Sequence, residues 1–242
     1  MIDLLDIHTH TLACGHAYST VQENIDQAVK LKLKYYGVSE HAPAMSKISP
    51  FFFHNSRVFP EMVETTRILK GAELNIISAE GEVDLDESIL MKLDYTLAAL
   101  HLMCFPPQSK EINTQAYVNT IKNPYVKVIA HPDDGRYLFD AKTLVKTAKD
   151  YHVTLEVNNS SLAPDGYRQN TRDVISEVLS YCVEYQLPVI MGSDAHIAYH
   201  VGNHNNSIAL LEELNFPTDL IINYHEHLIE EYILRPKTDF IK

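Results

Sequence analysis

Seven short runs of apolar residues recur along the chain, and six of them end at a histidine or an acidic residue. The runs cover residues 4–7, 35–39, 68–72, 95–100, 126–130, 153–157 and 188–192. An apolar run of this length that stops at polar residues is typical of a buried β-strand. The pattern therefore predicts seven strands, spaced very roughly 30 residues apart, as in chains whose strands alternate with helices.

Helical patterns separate several of these strands. Thr20 and Glu23 have the spacing of a capping box and precede an amphipathic pattern, which predicts that a helix begins there. Asp140 is the expected N-cap of another helix, whose inward face holds Ala141, Leu144, Val145 and Ala148. Further helices are expected over residues 172–186, 207–214 and 226–234.

The polar strand ends decide between two architectures. An open parallel sheet spreads its carboxyl ends along a long edge, whereas a closed barrel brings them to one mouth, where the chemistry of such folds gathers. Six runs end at His, Glu or Asp, and the run at 153–157 ends at Asn158 and Asn159. We therefore expect residues 1–242 to form a single α/β domain, a distorted TIM-like barrel of about seven parallel strands.

Two histidines one residue apart, His8 and His10, follow the first run. Alternate strand residues face the same side, so both imidazoles point to one place, and neutral imidazole is a common ligand for zinc. The strand ends and the first loop give nine candidate metal ligands: His8, His10, His16, His41, Glu73, His101, His131, Asp194 and His196. One metal ion cannot use nine ligands, which implies two or three ions. A carboxylate can bridge two ions and an imidazole cannot, so Glu73 is the expected bridge.

Each of these side chains, taken alone, has an ordinary structural explanation, because histidines also cap strands or bond backbone carbonyls. Their position at the ends of successive strands favours a metal site. Six other histidines lie away from the strand ends and are expected on the surface or on helices: His54, His152, His200, His204, His225 and His227. Cys14 and Cys104 are near candidate ligands, and we expect them to be packing residues.

The composition narrows the classes of function. The 242 residues are 45% hydrophobic and 21% charged, with a formal net charge of −12. This acidity disfavours a nucleic-acid binder, which needs a basic face, but allows small anions held by metal ions. Three cysteines without Cys-x-x-Cys spacing do not indicate disulfides, and no basic leader or apolar run of about 18 residues is recognisable. We expect a cytoplasmic protein that has no membrane partner.

Six motifs resemble the PHP (polymerase and histidinol phosphatase) superfamily: Asp6-Ile7-His8-Thr9-His10, Ser39-Glu40-His41, Gly71-Ala72-Glu73, Ala99-Leu100-His101, Ile129-Ala130-His131-Pro132 and Gly192-Ser193-Asp194-Ala195-His196. The resemblance extends over nearly the whole chain. Segments 15–20, 81–84, 113–116 and 158–161 resemble the small stand-alone bacterial phosphatases of that superfamily. The resemblance implies a distorted (β/α)7 barrel with three divalent metal ions, usually Zn2+, with Mn2+ or Fe2+ as alternatives.

The resemblance also assigns the ligands to three metal ions. The first would be held by His8, His10, Glu73 and Asp194. The second would be held by Glu73, His101 and His131, and the third by His16, His41 and His196. The implied activity is a metal-dependent phosphomonoesterase in which a water activated by the metal ions attacks phosphorus. The expected catalytic residues are Glu73, Asp194 and His196.

Four residues are candidates for substrate binding. Arg57, Arg136 and Arg168 lie in loops after predicted strands two, five and six; each either binds phosphate through its guanidinium or is a solvated surface arginine. Asn158, at a strand end, is a candidate hydrogen-bond donor to substrate or water. The expected partner is a small phosphorylated metabolite.

Three other functions stay open at this stage. A phosphodiesterase or exonuclease of the same chemistry would need a basic groove, which the acidic composition disfavours. A barrel amidohydrolase shares His-x-His after its first strand, but usually bridges its metals with a modified lysine, where this chain has Glu73. A non-catalytic metal-binding module would keep the same ligands without activity.

Overall fold

The strands form two mostly parallel sheets. The computed structural model describes residues 1–240. The first sheet has the order β1-β2-β4-β3 and consists of β1 (Leu5–Asp6), β2 (Tyr35–Val38), β3 (Met62–Val63) and β4 (Thr66–Lys70). The second has the order β5-β6-β7-β8-β9 and consists of β5 (Glu73–Asn75), β6 (Leu97–Ala99), β7 (Val128–Ile129), β8 (Thr154–Asn158) and β9 (Val189–Gly192). All pairs are parallel except β3 with β4.

Helices follow most of the strands. Within residues 1–240 the α-helices are α1 (Val21–Lys30), α2 (Pro43–Ser46), α3 (Phe51–Asn55), α4 (Glu87–Leu90), α5 (Lys110–Ile121), α6 (Ala141–Asp150), α7 (Thr171–Tyr185), α8 (Asn205–Glu213) and α9 (Glu226–Ile229), and a π-helical turn over Glu230–Leu234 continues α9. The predicted capping box is present, because Thr20 accepts from the N–H of Glu23 and the Glu23 carboxylate accepts from the N–H of Thr20. Asp140 accepts from the Thr143 N–H at the start of α6, as predicted. None of these helices is both long and apolar enough to cross a membrane.

The third apolar run differs from the prediction. It forms β4, but Glu73 does not end that strand; it begins β5 in the other sheet. The chain changes sheet at Gly71, whose backbone lies against the buried ring of Tyr95. A Cβ added to Gly71 would lie 2.2 Å from Tyr95 Cζ. The short antiparallel pairing of β3 with β4 was also not predicted, because residues 62–63 show no alternation of apolar and polar positions.

Single bridges connect the two sheets at both of their junctions. His41, after β2, pairs with Glu73, and Thr9, after β1, pairs with Ala195 after β9. The predicted α/β architecture with parallel strands is confirmed. The strands pair into two separate sheets, so the closed barrel stays a prediction. The single domain over residues 1–242 also stays a prediction.

Two hydrophobic clusters pack strands against helices. The larger contains β6, β7 and β8 with helices α5 to α7, and the smaller contains α1, β2 and β4, with Ile25, Tyr36 and Ile68 among its buried members. Such close packing gives the backbone little freedom. The carboxyl ends of the strands, where the polar residues lie, are therefore held in fixed positions.

Candidate metal centre

All nine predicted ligands lie in one cluster. Eight of them follow a strand, and Glu73 lies at the start of β5, beside the end of β2. His8 and His10 follow β1, His41 follows β2, and Glu73 begins β5. The loops after β6, β7 and β9 supply the remaining strand-end residues, which are His101, His131, Asp194 and His196. His16 comes from the loop after β1 and stacks on His41. His16 is exposed and His196 half-buried, whereas the other seven are buried, so these two mark the open side of the cluster.

Glu73 lies at the centre of this cluster, and its two carboxylate oxygens face different histidines. Oε2 lies 2.6 Å from Nδ1 of His41 and 3.5 Å from Nε2 of both His8 and His10. Oε1 lies 2.7 Å from Nε2 of His131 and 3.2 Å from Nε2 of His101. One carboxylate thus separates two groups of imidazoles.

Asp194 completes one of these groups. Its Oδ1 lies 3.3 Å from Nε2 of His10 and 3.6 Å from Nε2 of His8, and the three ligand atoms lie within 4.8 Å of one another. His10, His41 and His196 form a second such group, so His10 lies between the ligand sets that the resemblance assigns to different ions. Cys14 also approaches the open side, in a group with His16 and His196.

Backbone carbonyls fix the proton position on the two outer histidines. Nδ1 of His196 forms a hydrogen bond with the carbonyl oxygen of Asp194 at 3.0 Å. Nδ1 of His16 forms one with the carbonyl oxygen of Cys14 at 3.3 Å. A carbonyl oxygen can only accept, so Nδ1 is the donor in both rings. The lone pair of the neutral ring is then on Nε2.

An amide fixes His101 in the same way. Nδ1 of His101 lies 2.7 Å from Oδ1 of Asn75. The orientation of that amide is set by its Nδ2, which donates to the carbonyl oxygen of Ala42 and to Asp84. Oδ1 therefore accepts from Nδ1, and Nε2 of His101 is free to face Glu73.

Several buried ring nitrogens make no well-aligned hydrogen bond to any described residue, although some of them lie close to carboxylate oxygens. They are Nε2 of His8, both ring nitrogens of His10, both ring nitrogens of His41, and Nε2 of His101. One carboxylate oxygen of Glu73, Oε2, is in the same situation. Unpaired buried polar atoms are costly and rare in folded proteins. Imidazole lone pairs and carboxylate oxygens directed at shared points are the donor set that zinc, manganese and iron use. The residues present therefore fit divalent metal ions.

The two carboxylates of the cluster are held in their ionised form. Burial alone would raise the pKa of Glu73, but the surrounding histidines, His41 foremost, hold it well below its usual range. Burial would likewise raise the pKa of Asp194, and His8, His10 and Arg168 hold it well below its ordinary value. Ionised carboxylates are the form that binds cations.

The histidines divide into two kinds. Burial lowers the pKa of His10 well below its ordinary value, and burial together with Arg168 lowers the pKa of His131 to about 4, so both are neutral near pH 7. Burial would also lower the pKa of His8, but the carboxylates around it, Glu156 foremost, raise it well above 6.5. A proton and a metal ion would compete for this third imidazole.

Glu156 is a site residue that the sequence analysis missed. It lies in the middle of β8, is 1% exposed, and places Oε1 2.6 Å from Nδ1 of His8. Its Oε2 accepts from the backbone N–H of His131 at 2.8 Å. The signal was present in the sequence, because Glu156 lies two residues before Asn158 and alternate strand residues share a face.

Asn158 makes its hydrogen bonds to protein groups. Its Nδ2 donates to Glu156 at 3.0 Å and lies 3.3 Å from Oδ2 of Asp194, while its Oδ1 accepts from the N–H and hydroxyl of Ser161. Asn158 is also fully buried. The structure thus places it behind Asp194, where it orients that carboxylate.

Of the three candidate arginines, Arg168 lies nearest to the carboxylates of the cluster. Its Nη1 donates to the hydroxyl of Ser161 at 2.8 Å and lies 3.5 Å from Oδ2 of Asp194. Its Nε lies 4.0 Å from Asp133. Arg168 lines a cavity of about 270 Å³ that also reaches His16, His101, Asp194 and His196.

Arg136 and Arg57 are placed differently. Arg136 lines the same cavity, but its Nε and Nη2 both donate to Asp134, at 2.8 and 2.5 Å, and its guanidinium stacks on Tyr167. Its charge is therefore largely balanced within the protein. Arg57 is exposed in a turn at Ser56–Val58 and is not among the residues that line the cavity.

Among the histidines expected on the surface or on helices, His204 differs. It is fully buried at the start of α8, with Nδ1 2.5 Å from Asp3 and Nε2 3.6 Å from Asp6. The sequence signal for this ion pair is weak because its members are about 200 positions apart. His152 is half-buried and stacks between Tyr232 and Phe240.

Comparison with known proteins gives relatives for almost the whole chain. A probable phosphatase of Acetivibrio thermocellus is 39% identical over 236 residues, which are 97% of this chain and 96% of the relative. One of Caldanaerobacter subterraneus subsp. tengcongensis is 40% identical over 233 residues, 95% of this chain and 91% of the relative. Residues 176–218 match the family described as PHP-associated.

A solved structure shows the same fold. The crystal structure of histidinol phosphate phosphatase from Lactococcus lactis subsp. lactis, complexed with Zn, L-histidinol and phosphate, aligns with a TM-score of 0.59 and 14% identity over 90% of this chain and 95% of that chain. The family expected from the sequence motifs and the expectation of a phosphatase are both confirmed. The chain belongs to the PHP (polymerase and histidinol phosphatase) superfamily and is one of its phosphatases.

Proposed function

We propose that this phosphatase is a metal-dependent phosphomonoesterase that acts on a small phosphorylated metabolite and holds three divalent ions, with zinc the first candidate. The position of Glu73 carries this proposal. Its two oxygens face separate groups of histidines, as a carboxylate that bridges two metal ions must. The ring nitrogens around it that make no well-aligned hydrogen bond would supply the remaining donors.

The proposed ligand sets follow the sequence motifs. The first ion would be held by His8, His10, Glu73 and Asp194, the second by Glu73, His101 and His131, and the third by His16, His41 and His196. The first two sets agree with the distances around Glu73 and Asp194. His10 also stacks on His41 with ring centroids 4.1 Å apart, so it is the residue that links the first and third sets.

Divalent ions bound in this cluster would lower the pKa of a nearby water and offset the negative charge of a phosphate. The protein residues prepare the site for this chemistry. Glu73 and Asp194 remain ionised because the neighbouring histidines and Arg168 keep their pKa values low. His10 and His131 remain neutral because burial lowers theirs.

Arg168 is the proposed phosphate-binding residue. It lines the cavity beside Asp194 and presents a planar group of donors that matches phosphate oxygens. Arg136 would contribute less, since Asp134 already engages two of its nitrogens. Asn158 would keep Asp194 in place rather than contact substrate.

The size and charge of the protein favour a small substrate over a polymer. The cavity that reaches the open histidines has a volume of about 270 Å³, slightly below the range of typical small-molecule sites. The net charge of −12 opposes a long polyanion. We further propose that the bridges at His41–Glu73 and Thr9–Ala195 close the two sheets into the (β/α)7 barrel.

The test is phosphate release from 4-nitrophenyl phosphate by protein stripped with a chelator, with and without added zinc or manganese. Activity that returns with metal supports the proposal and leads to a panel of phosphorylated metabolites. Absence of activity at full metal occupancy, with hydrolysis of bis(4-nitrophenyl) phosphate instead, would replace it with a phosphodiesterase. No hydrolysis of either aryl ester or of any member of the metabolite panel, with intact metal binding, would overturn phosphoester hydrolysis.

A further inference from the structure

Glu156 contacts three groups that belong to the candidate metal centre or support it. Its Oε1 lies 2.6 Å from Nδ1 of His8. Its Oε2 accepts from the N–H of His131 at 2.8 Å and from Nδ2 of Asn158 at 3.0 Å. No other carboxylate of the described residues is in contact with Nδ1 of a ring whose Nε2 faces Glu73 and Asp194.

The fold leaves space for this carboxylate. Gly192, on the neighbouring strand β9, lies beside it, and a Cβ added there would be 1.9 Å from Oε1 of Glu156. The two strands are paired in register, with Asn158 opposite Gly192. A side chain at this glycine position would therefore push Glu156 away from His8.

The contacts of Glu156 determine where the proton of His8 lies. An ionised carboxylate only accepts hydrogen bonds, so Nδ1 of His8 must be the donor to Oε1. In the neutral ring, which is the form that binds a metal ion, Nε2 of His8 then keeps its lone pair. This nitrogen lies 3.5 Å from Glu73 and 3.6 Å from Asp194. This nitrogen has no hydrogen-bond partner among the described residues.

We infer that Glu156 is a positioning residue for the metal centre: it holds the proton of His8 on Nδ1 and thereby presents Nε2 as a metal ligand. This inference rests on the proposed function, because it assigns Glu156 a role toward the same metal ions. Partners of this kind fix the proton position and orientation of a ligating histidine and strengthen its metal binding.

A glutamine in place of Glu156 should move the proton of His8 from Nδ1 to Nε2. The two donors at Oε2, the N–H of His131 and Nδ2 of Asn158, require an acceptor there, so the glutamine oxygen takes that side. Its NH2 group then faces Nδ1 of His8, which must accept. The proton moves to Nε2, and that nitrogen can no longer bind a metal ion.

The experiment compares the wild type with Glu156→Gln by zinc titration calorimetry, metal analysis and 15N NMR of the histidine rings. In the zinc-loaded wild type we expect His8 to be protonated at Nδ1. In Glu156→Gln we expect the proton on Nε2 and a zinc Kd that is about 10- to 100-fold higher. Glu156→Asp keeps the accepting carboxylate and should retain the Nδ1 proton. Glu177→Gln, exposed on α7, removes the same charge and should match the wild type.

The outcomes separate this inference from the proposed function. A wild type that binds neither zinc nor manganese contradicts the proposed function itself. A wild type that binds zinc while His8 carries its proton on Nε2 overturns the role of Glu156, whether or not the variant folds. Unchanged zinc affinity and an unchanged Nδ1 proton in Glu156→Gln would overturn it as well.

Discussion

Nδ1 of His41 lies 2.6 Å from Oε2 of Glu73, while Oε1 of the same carboxylate faces His101 and His131. This one contact joins the end of the first sheet to the start of the second, because the two residues also form the bridge between β2 and β5. The residue that connects the sheets is therefore also the residue at the centre of the ligand cluster. Its substitution should affect metal binding more than any other single change.

Glu73→Gln should lose bound metal and at least about 100-fold in phosphatase activity, because it removes the charge that two ions would share. Metal content per chain and the rate of phosphate release measure this. His152→Gln is the control, since His152 lies between Tyr232 and Phe240, away from the cluster. Equal activity of the two variants would contradict the assignment of Glu73.

Arg168→Lys should raise KM and weaken inhibition by inorganic phosphate about tenfold, because lysine keeps the charge but lacks the planar set of donors. The matched control is Arg57→Lys on the exposed turn, which should leave both constants unchanged. Steady-state kinetics with and without inorganic phosphate give KM and the inhibition constant for each variant. A loss confined to kcat, with KM and phosphate inhibition intact, would mean that Arg168 does not bind the phosphate.

The ion pair of His204 should make stability depend on pH. Burial would lower the pKa of His204, but Asp3 and Asp6 raise it to about 10, above the value of 6.5 for an exposed histidine. Its contribution is thus fully present below pH 6.5, decreases as the pH rises, and is lost above about pH 10.

Urea unfolding of metal-free protein between pH 6 and 9.5 tests this dependence. His204→Gln should be less stable than the wild type by a few kcal/mol at pH 6, because each pKa unit corresponds to about 1.4 kcal/mol. The difference in unfolding free energy between the two proteins should decrease as the pH rises. His200→Gln, on the exposed side of the same loop, should show a small and constant difference. A gap for His204→Gln that does not change with pH would refute the charged pair.

Gly71→Ala should destabilise the fold by about 2 kcal/mol, because the new Cβ would lie 2.2 Å from the buried ring of Tyr95. The loss should shrink in a Tyr95→Leu background, where the ring is absent. Unfolding free energies of the two single variants and the double variant give the coupling. Equal losses from Gly71→Ala in both backgrounds would show that the ring is not the cause.

The sequence was sufficient to predict most of the strand ends and the residues that cluster there. Each apolar run overlaps a strand, and parallel strands bring their carboxyl ends together, so His8, His41 and Asp194 could be placed in one site from the sequence. The capping residues Thr20 and Asp140 were likewise predictable, because a cap depends on neighbours three residues away.

The remaining features depend on contacts between distant parts of the chain. The chain changes sheet at Gly71, where the ring of Tyr95 packs against the backbone, and no local pattern reveals this contact. The burial of His204 depends on Asp3 and Asp6 at the other end of the chain. Glu156 could have been found from the two-residue period of β8, but an acidic residue inside an apolar run gave no sign of its partner His8.

The bridge between Thr9 and Ala195 has a consequence for synthesis of the protein. The ligands range from His8 to His196, so a growing chain that has left the ribosome only as far as α7 carries most of the histidines but neither Asp194 nor the strand that brings it to His10. Such a chain would expose its histidines without the carboxylate that completes their group. Metal binding by the set that includes Asp194 should therefore follow synthesis of β9, and truncations before residue 194 should bind an ion at that set only weakly.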